Sequence, residues 1–411
     1  MNGGVLPKNQ VDWFSVWELV FSGLAILILW GLALLLFLSA VAGVFQARGG
    51  NVLSLTLPAA TLAASGLILL PSAILALMRL AGRPLNSPAL GLFPARPTLL
   101  VLLFPFILLL GEWVSKQQQI AWLFLPPIHV LAIAIPVIWL AYMGARQLPL
   151  GSPQRQWGVL GTGLVLGPLL ILILELLALI VVAAIAFLLL SNQPNLMQQL
   201  NRLMQQLQSG QVSQEQALQL FAPYLTQPSV LFTALAFVSV IVPLIEEMLK
   251  PIGVWFLVGK NITPAGGFGA GVLSGAGYAL FESLALTPGG DTWAFLISAR
   301  AATAVIHILT AGLTGYALAL AWRERRYLRL GVAYLTAVAL HGLWNGLTLQ
   351  ISFSSLVKMQ GAQPVFPFLP RYSTAAVLGL GFLVIGAFTV LVLSNRTLVR
   401  SRNRAAIAES E

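Results

Sequence analysis

Ten long, largely apolar stretches of the chain constrain its fold more than any other feature. A helix needs about 20 apolar residues to cross the hydrocarbon core of a bilayer. No stretch alternates polar and apolar residues as a membrane barrel does. The sequence therefore predicts an all-α, polytopic membrane protein with about ten transmembrane helices. The predicted spans are 19–45, 53–78, 97–113, 119–143, 157–190, 229–257, 266–286, 292–320, 329–351 and 374–395.

The composition agrees with a membrane protein. Hydrophobic residues make up 58% of the chain and charged residues only 8%, whereas soluble domains carry about 25% charged residues. An ordinary cytosolic enzyme and a disordered chain are both excluded. The chain has no cysteine, which excludes disulfides, thiolate catalysis and cysteine-ligated metal sites.

The distribution of basic residues indicates the orientation of the chain in the membrane. Lys and Arg are about three times as frequent on the side that carries the C-terminal tail as on the opposite side, and such an excess marks the cytoplasmic face. We expect a multi-pass protein of the cell membrane with both termini in the cytoplasm. This bias also explains the net charge of +10 without a nucleic-acid partner.

The chain divides into four predicted regions. Residues 1–190 form an N-terminal region of five spans, and 191–228 form an extracytoplasmic, Gln-rich amphipathic loop. Residues 229–351 hold four spans and form a helical bundle in the C-terminal half. Residues 352–411 contain the last span and a basic cytoplasmic tail.

Ionisable residues concentrate in those four spans. A charge at the bilayer centre costs at least ~2.5–3.5 kcal/mol, so such residues are candidates for function. Counted from the cytoplasmic ends at 1.5 Å per residue, Glu246, Glu282, His307 and His341 lie roughly 18–24 Å deep. Four successive helices thus present two carboxylates and two imidazoles at one depth, which predicts a shared buried site.

The spacing within the spans adds detail. Glu246 and Lys250 are four residues apart and can pair on one helix face, while Glu247 points about 100° away. His341 and Asn345 share a face, as do Arg300 and His307.

Two imidazoles and a carboxylate suit a divalent metal, with Zn²⁺ the expected ion and one coordination position open. Such a metal acidifies a water molecule, and a nearby carboxylate can then act as general base. Asn345 or Arg300 could stabilise the oxyanion. This donor set is chemically complete for peptide hydrolysis.

Four sequence elements resemble those of the PrsW family of intramembrane metalloproteases, which is related to the CAAX prenyl endopeptidase group. Glu246–Lys250 matches an EExxK motif and Tyr278–Glu282 an FxxxE element. His307 would fill an FxxxH element in which Thr303 replaces Phe. His341–Asn345 matches HxxxD with Asn in place of Asp.

The resemblance implies a peptidase that cuts membrane-anchored proteins. It implies Glu246 and Glu247 as acid/base and water-activating groups, and Glu282, His307 and His341 as ligands of metal or water. A zinc mechanism and a purely glutamate-driven one both remain open.

Two other function classes fit parts of the sequence. Buried Glu and His residues, Glu175 included, could relay protons in a transporter or channel. Asn345 and Thr303 differ from the residues of the family motifs, so a non-catalytic membrane scaffold is a further alternative. The oligomeric state is left open.

Overall fold

The computed structural model describes residues 12–45, 52–83, 91–93, 97–190, 227–286, 292–360 and 373–408, and a few single positions between 198 and 216. In these residues the chain is helical and contains no strand, which confirms the predicted all-α class. The helices are α1 Trp13–Phe45, α2 Leu53–Leu80, α3 Pro97–Val101, α4 Phe104–Ser115, α5 Gln118–Ala145, α6 Pro153–Gly161, α7 Gly167–Leu190, α8 Pro228–Ala236, α9 Val242–Leu249, α10 Ile252–Trp255, α11 Pro264–Ala285, α12 Trp293–Glu324, α13 Tyr327–Gln360 and α14 Ser373–Ala408.

Two π-helical turns interrupt the longer spans. Thr162–Leu166 joins α6 to α7, and Phe237–Ile241 joins α8 to α9. A π turn accommodates one extra residue in an α-helix and often occurs at functional sites. The second of these turns lies directly before the Glu246–Glu247 pair.

Nine helical stretches in the described residues are long and apolar enough to cross a membrane. They correspond to nine of the ten predicted spans. The remaining predicted span, 266–286, also forms a helix, α11, which is not among these nine. The protein is therefore a multi-pass membrane protein, as predicted.

The chain forms two compact units that alternate along the sequence. Unit 1 comprises Met1–Leu169, Glu247–Leu335 and Gly386–Glu411, and unit 2 comprises Leu170–Glu246 and Thr336–Ile385. The four-region division made from sequence stays a prediction. The Gln-rich loop at 191–228 falls almost entirely outside the described residues.

Close packing of α11 against α12 forms the centre of unit 1. A Cβ atom on Gly267 would lie 2.4 Å from the Gly315 carbonyl oxygen, and one on Gly271 would lie 2.2 Å from the Ala311 carbonyl oxygen. Only residues without a side chain allow two helix backbones to approach this closely. α11 begins where the Thr263 side chain accepts a hydrogen bond from the Gly266 N–H, with Pro264 in the first turn.

Candidate active site

The helix that carries Glu246 and Glu247 has an irregular entrance. In the π turn, the Val242 N–H donates to the Phe237 carbonyl, five residues back. The next residue, Pro243, has no N–H to donate to Val238 in the same way. The Asn345 side chain supplies that donor, with Nδ2 2.9 Å from the Val238 carbonyl oxygen. Asn345 therefore satisfies a backbone acceptor that the proline leaves without its π-helical partner.

A glycine lets α13 reach this turn. A Cβ atom on Gly342 would lie 2.2 Å from the Ser239 carbonyl oxygen. Any larger residue at position 342 would force α13 away from the π turn. The neighbouring His341 places its Nε2 3.9 Å from Glu246 Oε2, and both side chains are buried. Unit 2 thus holds one carboxylate–imidazole pair together with Asn345.

Unit 1 holds a second, larger cluster centred on Lys250. The Lys250 Nζ lies 2.7 Å from Glu247 Oε1 and 2.7 Å from His307 Nδ1. It also lies 4.9 Å from the centre of the Tyr278 ring, a distance at which cation and ring attract each other. All of these side chains are buried. Sequence spacing paired Lys250 with Glu246, whereas its hydrogen bond here is to Glu247, three residues earlier.

The protonation of His307 follows from its two neighbours. An ammonium group has donors only, so Lys250 donates to Nδ1 and Nδ1 carries no proton. The proton of the neutral imidazole is then on Nε2, which lies 2.7 Å from Glu282 Oε2. We assign this tautomer from the pairing of the groups. The ring therefore links Lys250 to Glu282.

Glu282 and Arg300 form the partly open side of the cluster. Arg300 Nη2 lies 2.7 Å from Glu282 Oε2, and the two side chains are 17% and 34% exposed. Arg300 also donates from Nε to the Ser283 hydroxyl. Two carboxylates balance one ammonium and one guanidinium in this cluster, so its formal charge is zero.

Ser274 is a supporting residue that the sequence analysis did not single out. Its hydroxyl donates to the Lys250 carbonyl at 2.5 Å and accepts from the Gly253 N–H at 3.2 Å. Pro251 breaks the helix between these two residues. The serine thereby fixes the backbone from which Lys250 projects.

Each unit brings together part of the predicted site. Glu247, Glu282 and His307 meet in unit 1 with Lys250 and Arg300. Glu246, His341 and Asn345 lie in unit 2. The covalent chain links the two groups, since Glu246 and Glu247 are consecutive residues of α9.

The fold and these clusters define a multi-pass membrane protein with acidic and imidazole side chains buried among apolar helices. The family model described as PrsW family intramembrane metalloprotease matches residues 156–372, more than half of the chain. The chain belongs to this family and is a peptidase of the intramembrane metalloprotease class. No curated protein and no solved structure matches the chain.

Proposed function

We propose that this protein hydrolyses peptide bonds of membrane-anchored proteins in or near their membrane segment. The observation that carries the proposal is the chain of contacts from the buried Glu247, Lys250 and His307 to the partly exposed Glu282. Burying so many ionisable groups is costly unless they are paired. A merely structural role would not need a glutamate pair followed by two histidines in the order that the family motifs have.

The proposed catalytic residues are Glu246, Glu247 and Asn345. Glu246 acts as general base on the attacking water and returns the proton to the leaving amine. Glu247, held by Lys250, keeps a fixed negative charge next to the base. Asn345 has two amide N–H donors, of which one goes to Val238 and the other serves the oxyanion of the tetrahedral intermediate.

The proposed metal ligands are Glu282, His307 and His341. Glu246, His307 and His341 are all buried, and carboxylate with imidazole is a donor set that suits Zn²⁺. A divalent metal bound there would polarise the peptide carbonyl and acidify water.

The carboxylate–imidazole distances within the two units depart from the ligand separation of a metal site in opposite directions. Bonds of about 2.0–2.1 Å at tetrahedral angles place a ligand nitrogen and a ligand oxygen about 3.3 Å apart. The Glu282–His307 pair is shorter, at 2.7 Å, and the Glu246–His341 pair is longer, at 3.9 Å.

His307 can serve as a ligand only if its protons rearrange. A neutral imidazole has one ring nitrogen with an available lone pair, so Nε2 cannot bind a cation while Nδ1 accepts from Lys250. The Nε2 proton must pass to Glu282 Oε2, 2.7 Å away, and from this partly exposed carboxyl group to water, and a proton from Lys250 must move to Nδ1. Lys250 is placed to make this transfer because its Nζ already contacts Nδ1.

The test is cleavage of a single-span reporter by the full-length protein reconstituted in liposomes. Glu246→Gln, Glu247→Gln and His341→Gln should each abolish cleavage while the proteins remain folded in detergent. Glu175→Gln is the matched control, because it removes an intramembrane carboxylate outside the motifs and should cleave normally. Full activity in any of the three site variants would overturn the assignment.

Metal analysis tests the cofactor separately. Purified wild-type protein should carry about one equivalent of zinc or another divalent metal, and the His307→Ala/His341→Ala double variant should carry none. A wild type that cleaves without metal and in the presence of a chelator would favour the glutamate-driven mechanism.

A further inference from the structure

A second polar site lies in the N-terminal part of unit 1, away from the motif residues. A cavity of about 450 Å³ is enclosed by α1, α2, α6 with the π turn after it, and the residues around α10. Its volume is in the range of pockets that hold small ligands. Most of its wall is apolar, with aromatic rings from Phe14, Trp17, Phe21 and Phe256. The cavity extends beyond the region matched by the family, because α1 and α2 precede residue 156.

One carboxylate, Glu18, lines this apolar cavity and is held by neutral donors from two other helices. The Ser72 hydroxyl donates to Oε1 at 2.8 Å, and the Gln154 amide donates to Oε2 at 2.7 Å. The same Gln154 amide nitrogen is 2.9 Å from the Ser15 hydroxyl oxygen. The carboxylate group is thus fixed in position by three helices.

A glycine in α6 makes room for the carboxylate. A Cβ atom on Gly158 would lie 2.6 Å from Glu18 Oε1. The carboxylate therefore rests against the α6 backbone, and any side chain at position 158 would displace it. This close fit distinguishes Glu18 from an acidic residue whose side chain extends from a helix without packing against a neighbour.

The carboxylate has capacity for a further donor. A carboxylate offers about four lone-pair sites, and the two neutral donors occupy two of them. Within the described residues, the ion pairs do not include Glu18. A charge in apolar surroundings is stabilised most by an opposite charge. A ligand with an N–H-bearing cation matches this requirement.

Two basic side chains of the protein lie around the same cavity. Arg155 lines the wall together with Glu18, and Lys260 Nζ lies 5.7 Å from the centre of the Phe14 ring. Trp17 is largely exposed at the start of α1, where aromatic rings mark the membrane–water interface. The cavity therefore presents a carboxyl group, cations and an apolar wall near the start of α1.

We propose that this cavity binds a phospholipid with a primary amine in its headgroup, of the phosphatidylethanolamine type. Glu18 receives the ammonium group, Arg155 contacts the phosphate, and the aromatic wall packs against the acyl chains. The proposal is independent of the peptidase mechanism, since none of these residues belongs to the proposed catalytic centre.

The test is lipid binding to the full-length, delipidated protein by native mass spectrometry. Phosphatidylethanolamine, phosphatidylcholine and phosphatidylglycerol of equal chain length are compared. The choline headgroup keeps the positive charge but has no N–H, and the glycerol headgroup has neither. We expect one tightly bound phosphatidylethanolamine per chain, with at least tenfold weaker binding of the other two. Equal binding of all three would overturn the proposal.

Three variants and one control variant assign the contacts. Glu18→Gln keeps the shape of the side chain and should lower phosphatidylethanolamine binding at least tenfold, whereas Glu324→Gln, an exposed carboxylate paired with Arg326, should leave it unchanged. Gly158→Ala should weaken binding without removing a charge, which keeps the test decisive if Glu18→Gln fails to fold. Arg155→Gln should weaken all phospholipids alike. Undiminished phosphatidylethanolamine binding in a folded Glu18→Gln or Gly158→Ala protein would contradict the proposal.

Discussion

Lys250 and Glu247 form an ion pair at 2.7 Å in which neither side chain is exposed at all. Removing one partner of a buried pair leaves an uncompensated charge, which typically costs about 3–5 kcal/mol. Lys250 also contacts His307, so its loss would disturb two candidate site residues. The pair therefore contributes both to stability and to the arrangement of the site.

We predict that Lys250→Met lowers the unfolding free energy by about 3–5 kcal/mol. The Lys250→Met/Glu247→Leu double variant should recover much of that loss, because no buried charge remains. Denaturant unfolding in detergent measures both. A double variant as unstable as the single one would show that packing rather than charge determines the cost.

At Asn345 we predict that restoring the residue of the family pattern is unfavourable. The HxxxD element has Asp at this position, but a carboxylate cannot donate to the Val238 carbonyl as the amide does. Asn345→Asp should therefore lower stability by about 1–3 kcal/mol, the cost of an unsatisfied buried acceptor, and reduce reporter cleavage. Asn345→Ala should behave similarly. Unchanged stability in Asn345→Asp would show that the Val238 contact is unimportant.

The α11–α12 contact should be intolerant of a single methyl group. At Gly271 a Cβ would meet the Ala311 backbone at 2.2 Å, so Gly271→Ala should destabilise the protein or prevent its folding. Gly381, in α14, has no atom within 4 Å of a Cβ. Gly381→Ala should be neutral or stabilising by up to about 1 kcal/mol, because alanine favours the helix. Thermal unfolding of the two variants, side by side, tests the contrast.

The absence of cysteine allows a clean test of orientation. Single cysteines at Gln117, between α4 and α5, and at Ser401, near the end of α14, should react with a membrane-impermeant maleimide from opposite sides. Ser401→Cys should label only in inverted vesicles and Gln117→Cys only in intact cells. Labelling of both from one side would contradict the predicted topology.

The sequence predicted the helices because they depend on local pattern, and the proposed site residues were selected from the same pattern. Long apolar runs specify spans, and ionisable residues stand out within them. The sequence could not predict whether Lys250 pairs with Glu246 or with Glu247, since residues three and four positions away are both neighbours on a helix. The hydrogen bond between Asn345 and Val238 depends on a π turn, and no simple periodicity of the sequence predicts such a turn. Ser274 acquires its role only through its contact with a distant backbone.

The π turn at Phe237–Ile241 has a further consequence. One extra residue in a helix rotates everything before it by about 100° relative to everything after it. The extra residue therefore sets the direction in which the glutamate-bearing side of α9 points relative to the side chains of α8. Deleting a single residue from this turn would leave the EExxK sequence unchanged. It would nevertheless turn Glu246 and Glu247 towards different neighbours.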